Sequence, residues 1–282
     1  MKRFFYLIVI LTILSCESNS KDKILFSSNR SGNSDIFLMN SDGSGIKRLV
    51  TTKFEEWGAT FIDKENITFM RQIKDSVYRF QFNLVSRKEK KILQLPGCYL
   101  DDKNVVYSKN GDYVFSCNLG LFLKKKNEPK FEMLPLGNRN TPNYLAWSFD
   151  GKSILYTDDL TGSNDVYKIN INTQKIDNLT NSSSNDERGD LSPNGKYLVF
   201  SSNRHNQKDQ DLFILNLESR ELENITNSQG YDLIGRWSLD GKYVFYGSNK
   251  DGNWEIYRYT LEDKSTLRLT NNTFFDGDPR VR

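Results

Sequence analysis

The sequence predicts an all-β chain, a six-bladed β-propeller of four-stranded antiparallel blades. Three observations carry this expectation. A unit recurs, Trp237-Ser-Leu-Asp-Gly-Lys-Tyr-Val-Phe, with further copies at Trp147 and Leu191, a less obvious one at Tyr107 and an eroded one at Phe61. These anchors lie 46, 40, 44 and 46 residues apart, the length of a four-stranded blade. Alanine is nearly absent (Ala59 and Ala146 only), whereas Tyr, Phe, Ile, Val, Thr, Asn, Gly and Ser are plentiful, a composition of strands and turns.

The chain opens with Met1-Lys-Arg and an apolar run from Phe4 to Leu14, a secretory signal too short to span a bilayer. The run ends Ile13-Leu-Ser-Cys16, which resembles the bacterial lipobox. The expected organisation is a lipoprotein signal peptide over 1–15, acylation of Cys16, a polar tether over 16–22 and the propeller over 23–282. Loss of Lys2 and Arg3 with the leader leaves 37 basic against 36 acidic residues. That balance implies neither a nucleic-acid partner nor an anionic membrane face, so membrane attachment is expected through the lipid alone. An exported chain can oxidise Cys98 and Cys117. The sequence leaves a disulfide open but favours two half-buried thiols, because it does not place their Cα atoms within bridging distance.

Each unit reads as four short strands. The first ends at the anchor and turns at Ser-x-Asp/Asn-Gly, a tight-hairpin signal that wants positive φ. The second is an apolar run such as Tyr197 to Phe200, followed by a polar loop such as Ser-Ser-Asn-Arg-Ser-Gly at 27–32. The third alternates, beginning at Asp35, Asp165, Asp211 or Glu255, residues read as strand-start hydrogen-bonding groups. The fourth closes on Leu49, Leu95, Leu179, Ile225 or Leu269, each 12 residues before the next anchor. Leu269 therefore points to Val281, while the chain enters its first blade at a second strand, Lys23-Ile-Leu-Phe. The C-terminal strand, about 276–282, is expected to supply the missing inner strand of blade one and so close the ring. Blade three should be the shortest, and helix close to nil.

With the repeat laid out, Trp147-Ser-Phe-Asp-Gly, Leu191-Ser-Pro-Asn-Gly, Trp237-Ser-Leu-Asp-Gly, the Ser-Ser-Asn-Arg loops ending at Arg30 and Arg204, and the Leu-Thr closings resemble the TolB-type β-propeller repeat family, akin to WD-type propellers. The resemblance spans nearly all of 23–282 and implies the fold. It implies an envelope protein-interaction role only by analogy, since one fold hosts many functions.

No catalytic constellation emerges. His205 is the one histidine and sits in a polar loop, and no Gly-x-Ser-x-Gly elbow occurs. Propeller lyases of the oligogalacturonate type resemble this repeat but rely on a histidine-rich metal site, and a single histidine argues against that activity. No cofactor and no metal site are expected. One pattern does follow the repeat. Five residues before each anchor stand Glu56, Asp102, Pro142, Asp186, Asp232 and Asp276, and thirteen after it Lys74, Arg204 and Lys250, with Arg30 their counterpart in blade one. Both positions fall in loops of one face, expected to carry an acidic inner ring near the channel and a partial basic ring outside it. Three readings stay open: ion pairing within or between blades, a docking face for a protein segment, and a cation held at the channel mouth. Trp57, Tyr144 and Tyr231, in loops before anchors, are candidate contacts on that face. Lys124-Lys-Lys126 falls on the opposite face and reads as a solvated run.

The functional expectation is a monomeric, non-enzymatic, lipid-anchored propeller of the bacterial envelope, on the periplasmic side of the outer membrane, with surface exposure as the alternative. It would bind a protein or peptidoglycan-associated partner through its loop face. The alternatives are a polysaccharide lyase or hydrolase and a stand-alone substrate-gating propeller serving a separate enzyme.

Overall fold

A computed structural model describes residues 22–92, 105–117, 120–136 and 142–282. Its strands, numbered in chain order, form six four-stranded antiparallel sheets arranged as a ring. Blade one joins β24 (Asp276–Val281) to β1 (Lys23–Ser28), β2 (Asp35–Asn40) and β3 (Lys47–Arg48). Blade two is β4 (Glu56–Phe61), β5 (Asn66–Ile73), β6 (Ser76–Asn83) and β7 (Glu89–Lys91). Blade three, with the shortest strands, is β8 (Val105–Tyr107), β9 (Tyr113–Cys117), β10 (Gly120–Lys124) and β11 (Glu132–Met133). Blade four is β12 (Asn143–Trp147), β13 (Ser153–Asp158), β14 (Asp165–Asn170) and β15 (Ile176–Asn178). Blade five is β16 (Asp186–Leu191), β17 (Tyr197–Ser202), β18 (Asp211–Asn216) and β19 (Leu222–Asn224). Blade six is β20 (Asp232–Trp237), β21 (Tyr243–Ser248), β22 (Glu255–Thr260) and β23 (Thr266–Arg268). No helix occurs among the described residues.

The ring closes where the sequence places its seam. β24 lies antiparallel to β1, with Ile24 opposite Val281 and Ser28 opposite Asp276. Beyond the last pair, Lys23 N–H donates to Arg282 O at 2.6 Å and Arg282 N–H to Lys23 O at 2.9 Å. Pro279, which has no N–H, sits where the pairing slips between Leu25 and Ser27, a position that tolerates proline inside a sheet. Ile24, Phe26, Phe37 and Met39 of blade one bury against Phe245 and Ile256 of blade six.

The anchor turns differ from a two-residue hairpin. Gly151 N–H bonds back to Ser148 O, and of the Asp150–Gly151 dipeptide only the glycine has positive φ, 74°. The serine fills the wider loop: Ser148 Oγ donates to Asp150 Oδ1 at 2.6 Å and accepts from Ser153 N–H at 2.9 Å. Ser192 and Ser238 repeat this arrangement, which explains the serine in the motif.

Every blade carries one aromatic pair directly opposed between its second and third strands: Phe26/Phe37, Phe69/Phe80, Phe115/Phe122, Tyr156/Tyr167, Phe200/Phe213 and Tyr246/Tyr257. Their centroids lie 5.3–6.0 Å apart. Cross-strand pairs of this kind each add up to about 1 kcal/mol.

Cys117, at the end of β9, is disulfide-bonded, which corrects the preference for two free thiols. Cys16 and Cys98 lie outside the described residues.

Deleting residues 276–282 removes β24 and exposes the whole edge of β1. The expected product is aggregated or lacks a cooperative thermal transition, read by gel filtration and circular dichroism. A monomeric truncation with an unchanged melting point contradicts the seam.

Candidate functional site

The propeller has two ends. Fourth-to-first and second-to-third strand connections form the loop face, and the anchor turns and third-to-fourth hairpins form the hairpin face. The repeated acids sit at the loop-face end of the inner strands, but between blades and not at the channel. Glu56, Asp186, Asp232 and Asp276 are all fully buried. Each lies 21 residues after another buried carboxylate at the start of the preceding third strand: Asp35, Asp165, Asp211 and Glu255 respectively. The loop between strands four and one is held between the two acids. Asn272, for instance, donates its N–H to Glu255 Oε1 and its Nδ2 to Asp276 Oδ2, both at 2.7 Å. Ser228 likewise gives its N–H to Asp211 at 3.1 Å and its hydroxyl to Asp232 at 2.6 Å.

The bases complete the clamp. Arg30 pairs with Asp276 and stands over the Phe26/Phe37 rings; Arg204 pairs with Asp186 and stands over Phe200/Phe213. Lys250 lies 4.1 Å from the Tyr257 ring centroid, and its charge acts on Asp232. Blade two departs from the pattern read in the sequence. Its base is Arg71, which donates Nε to Glu56 at 2.7 Å, forks onto Glu89 at 2.7 and 2.8 Å and covers Phe80 at 4.4 Å. Lys74 is instead exposed in the tight β5–β6 turn. The reason is strand geometry: Arg71 follows Phe69 by two residues and so projects from the same side of β5. Asp102 lies outside the described residues, and Pro142 is buried just before β12.

Burial pushes the Asp186, Asp232 and Asp276 carboxyls above the ordinary carboxylate range. It outweighs Ser202 and Arg204 at the first, Ser228 and Lys250 at the second, and Ser28 and Arg30 at the third. Burial raises Glu56 as well, against Thr52 and Arg71, and the neighbouring Asp35 carboxyl acts in the same direction as burial. These acids shape the loop face from inside and present no surface to a partner. Among the described residues, no group of three or more His, Cys, Asp or Glu side chains converges as a metal site. His205 is exposed in the β17–β18 loop.

The channel is lined by other positions. Five inner strands carry a β-bulge, in β4, β12, β16, β20 and β24. At each the residue three before the anchor has positive φ: Gly58 60°, Tyr144 53°, Arg188 60°, Ile234 60° and Asp278 55°. All five border a cavity of about 150 Å³ at the loop-face mouth, together with Trp57 and Leu233. Arg188 stacks 4.1 Å over Tyr144, donates to its hydroxyl at 2.8 Å and pairs with Glu187. Tyr231, just before β20, is 42% exposed but is not among the residues lining this cavity. The structure thus brings Trp57 and Tyr144 to one mouth, and adds Arg188, Leu233, Ile234 and Asp278, which the sequence reading missed. The available signal was the alternation of the inner strand, which puts the residues one and three before each anchor on one wall.

Deeper in the channel stand Arg236, 7% exposed, and Arg280, both shared with a second cavity of about 370 Å³ at the hairpin face. Burial, reinforced by the Arg280 charge, lowers Arg236 to about 9. Asp190 is raised by burial against the opposing pull of Arg236 and of the Trp237 N–H it accepts at 3.0 Å.

Two measurements check the clamp. Arg71→Met strands Glu56 in the interior and is expected to cost about 3–5 kcal/mol in chemical denaturation, whereas Lys74→Ala should leave stability within about 0.5 kcal/mol. Equal effects would remove Arg71 from the clamp. A carboxyl with a raised folded pKa binds more protons folded than unfolded, so its contribution is present below the unfolded value and is lost as pH rises through the folded one. Asp232→Asn is therefore expected to narrow the fall in melting temperature as pH rises from the ordinary carboxylate value of 3.8 to neutrality; an unchanged or wider fall contradicts the assignment.

The comparisons with known proteins agree with this architecture. The TolB beta propeller domain family matches residues 146–281. Among solved structures, TolB from Acinetobacter baumannii superposes with a TM-score of 0.78 at 14% identity, over 92% of this chain and 66% of that one. This chain therefore spans just under two thirds of that relative's length. The putative TolB from Agrobacterium tumefaciens gives 0.68 at 16% identity, over 91% and 89% of the two chains. An oligogalacturonate lyase in complex with manganese gives 0.57 at 12% identity, over 86% and 87%. No functionally curated protein matches the sequence. Two inner-strand anchors and their blades fall before the matched segment, yet they build the same ring: residues 146–281 match the TolB beta propeller domain family in sequence, and the described residues as a whole share its propeller fold.

Proposed function

We propose that this chain is a non-enzymatic, lipid-anchored propeller of the bacterial cell envelope that docks a protein or peptidoglycan-associated partner on its loop face. The observation that carries the reading is the mouth of about 150 Å³, where Trp57, Tyr144, Leu233 and Ile234 from three blades meet. Amphipathic aromatics in a small concavity are the kind of group that anchors a partner segment. Ile234 adds a second sign, because a β-branched residue at positive φ is a backbone outlier that costs on the order of 1–3 kcal/mol.

Chain direction supports the orientation. Asp22 lies at the hairpin face, where its carboxylate accepts from Leu239 N–H at 3.0 Å and its carbonyl from Ser41 N–H at 3.0 Å. A lipid at Cys16, a few residues upstream, would tether the hairpin face and turn the loop face away from the membrane. The outer membrane's periplasmic side is the proposed location, with the protein a monomer. The acids and bases of the loop face act in this scheme by fixing loop positions, with Lys74 outside it.

The test is retention of partners from envelope extract by a soluble protein of residues 17–282. Trp57→Ala with Tyr144→Ala is expected to lower retention at least tenfold, the range for a contact worth more than about 1.4 kcal/mol. Ile234→Gly relieves the backbone and should keep or raise the melting temperature while weakening retention. Undiminished capture by all of these variants would remove the loop-face mouth from the docking scheme.

A further inference from the structure

The cavity at the hairpin face is larger than the loop-face mouth and is left unused by the docking scheme. Its walls are apolar: Phe61, Leu145, Trp147, Leu191 and Trp237 surround a space of about 370 Å³. That volume falls in the range of small-ligand sites, which are apolar clefts with few placed polar groups. The two indoles are fixed in position. Trp147 Nε1 donates to Val106 O at 3.1 Å and Trp237 Nε1 to Asp190 O at 3.2 Å, each across to the preceding blade. The cavity therefore has rigid walls.

Its charged side chains are predominantly basic. Arg236 and Arg280 form the inner end, Lys64 and Lys109 border the rim, and Asp190 is the single carboxylate side chain among the described lining residues. Asp190 is already engaged by the Trp237 N–H. Arg236 is 93% removed from solvent, yet among the described residues its one hydrogen bond runs from Nη1 to its neighbour's carbonyl, Gly235 O, at a long 3.3 Å. A buried guanidinium with five donors ordinarily has most of them engaged. Here the open donors belong to a group that borders the cavity, with a second arginine beside it. An anion between the two guanidiniums would relieve their mutual repulsion and take up the idle donors, in the bidentate geometry that arginine favours with carboxylates.

We propose that the hairpin-face cavity binds a carboxylate carried on an apolar body: the carboxylate at Arg236 and Arg280, the apolar part between the two tryptophans. A free arylalkanoic acid and a peptide ending in a bulky apolar residue share this chemistry. The apolar part of the site lies at the hairpin face; Arg236 and Arg280 also border the loop-face cavity, but none of Trp57, Tyr144 and Ile234, the residues varied to test docking, lines the hairpin-face cavity, so the two readings are tested separately.

The experiment is calorimetric titration of the full chain in mild detergent with 3-phenylpropionate and with Ala-Ala-Phe, each against its carboxamide. Saturable binding of at least one acid, with its amide at least tenfold weaker, is expected; which acid binds identifies the source. Arg236→Gln should weaken the acid at least tenfold and leave the residual amide binding unchanged. Because that change is in the interior, Lys109→Glu at the exposed rim provides a second variant, expected to weaken the acid several-fold with an unaltered melting temperature. Absence of saturable binding by both acids, equal binding of acids and amides, or full affinity in a folded Arg236→Gln protein each overturns the proposal.

Discussion

A sheet that is apolar on both faces has to be covered on both, and that constraint governs this molecule. The second and third strands show it directly: β17 and β18 are buried at nearly every position, leaving no polar alternation to face water. Any linear stack of such blades leaves two greasy ends. A ring leaves none, and the shared β24–β1 sheet is the device that joins its ends. The aromatic pairs in all six blades, and the interdigitated clusters between neighbours, follow from this requirement.

Among the described residues, fully buried carboxylates enter the same interior at one level only, the loop-face ends of the strands. The doubled carboxylates between blades are costly to bury, and each is offset by serine, threonine or asparagine donors from the intervening loop and, in most blades, by a base lying on an aromatic pair. Charge here therefore fixes loops with respect to strands, while the channel, whose charges stand on different residues, remains available for ligands. The two ends of that channel differ in kind. The loop end offers mixed aromatic and aliphatic contacts with Asp278 near Arg188; the hairpin end is apolar with a basic lining.

Most of the ring was legible in the sequence because it is written in spacing. The 12-residue interval from Leu269 to Val281 located the seam, and the anchor turns marked the blades. Side-chain roles were legible only in part. The acids five residues before the anchors form a real ring, but its distance from the channel depends on the bulges, and nothing in Tyr144, Arg188, Ile234 or Asp278 announces positive φ as a glycine would. Counting along the chain likewise selected Lys74 where Arg71 does the pairing, because β5 runs longer than its counterparts and its turn is tighter. The idle donors of Arg236 depend on which blades surround it, which no local pattern records.

A seam made from both termini also has a consequence in time. β1 leaves the ribosome about 250 residues ahead of its partner, an interval on the order of 12–50 s at bacterial translation speeds. Throughout that wait the nascent protein carries an unsatisfied strand edge. If it is exported before folding, the cell avoids sheltering an incomplete torus in the cytoplasm, and β24 acts as the latch that decides when the ring becomes one object.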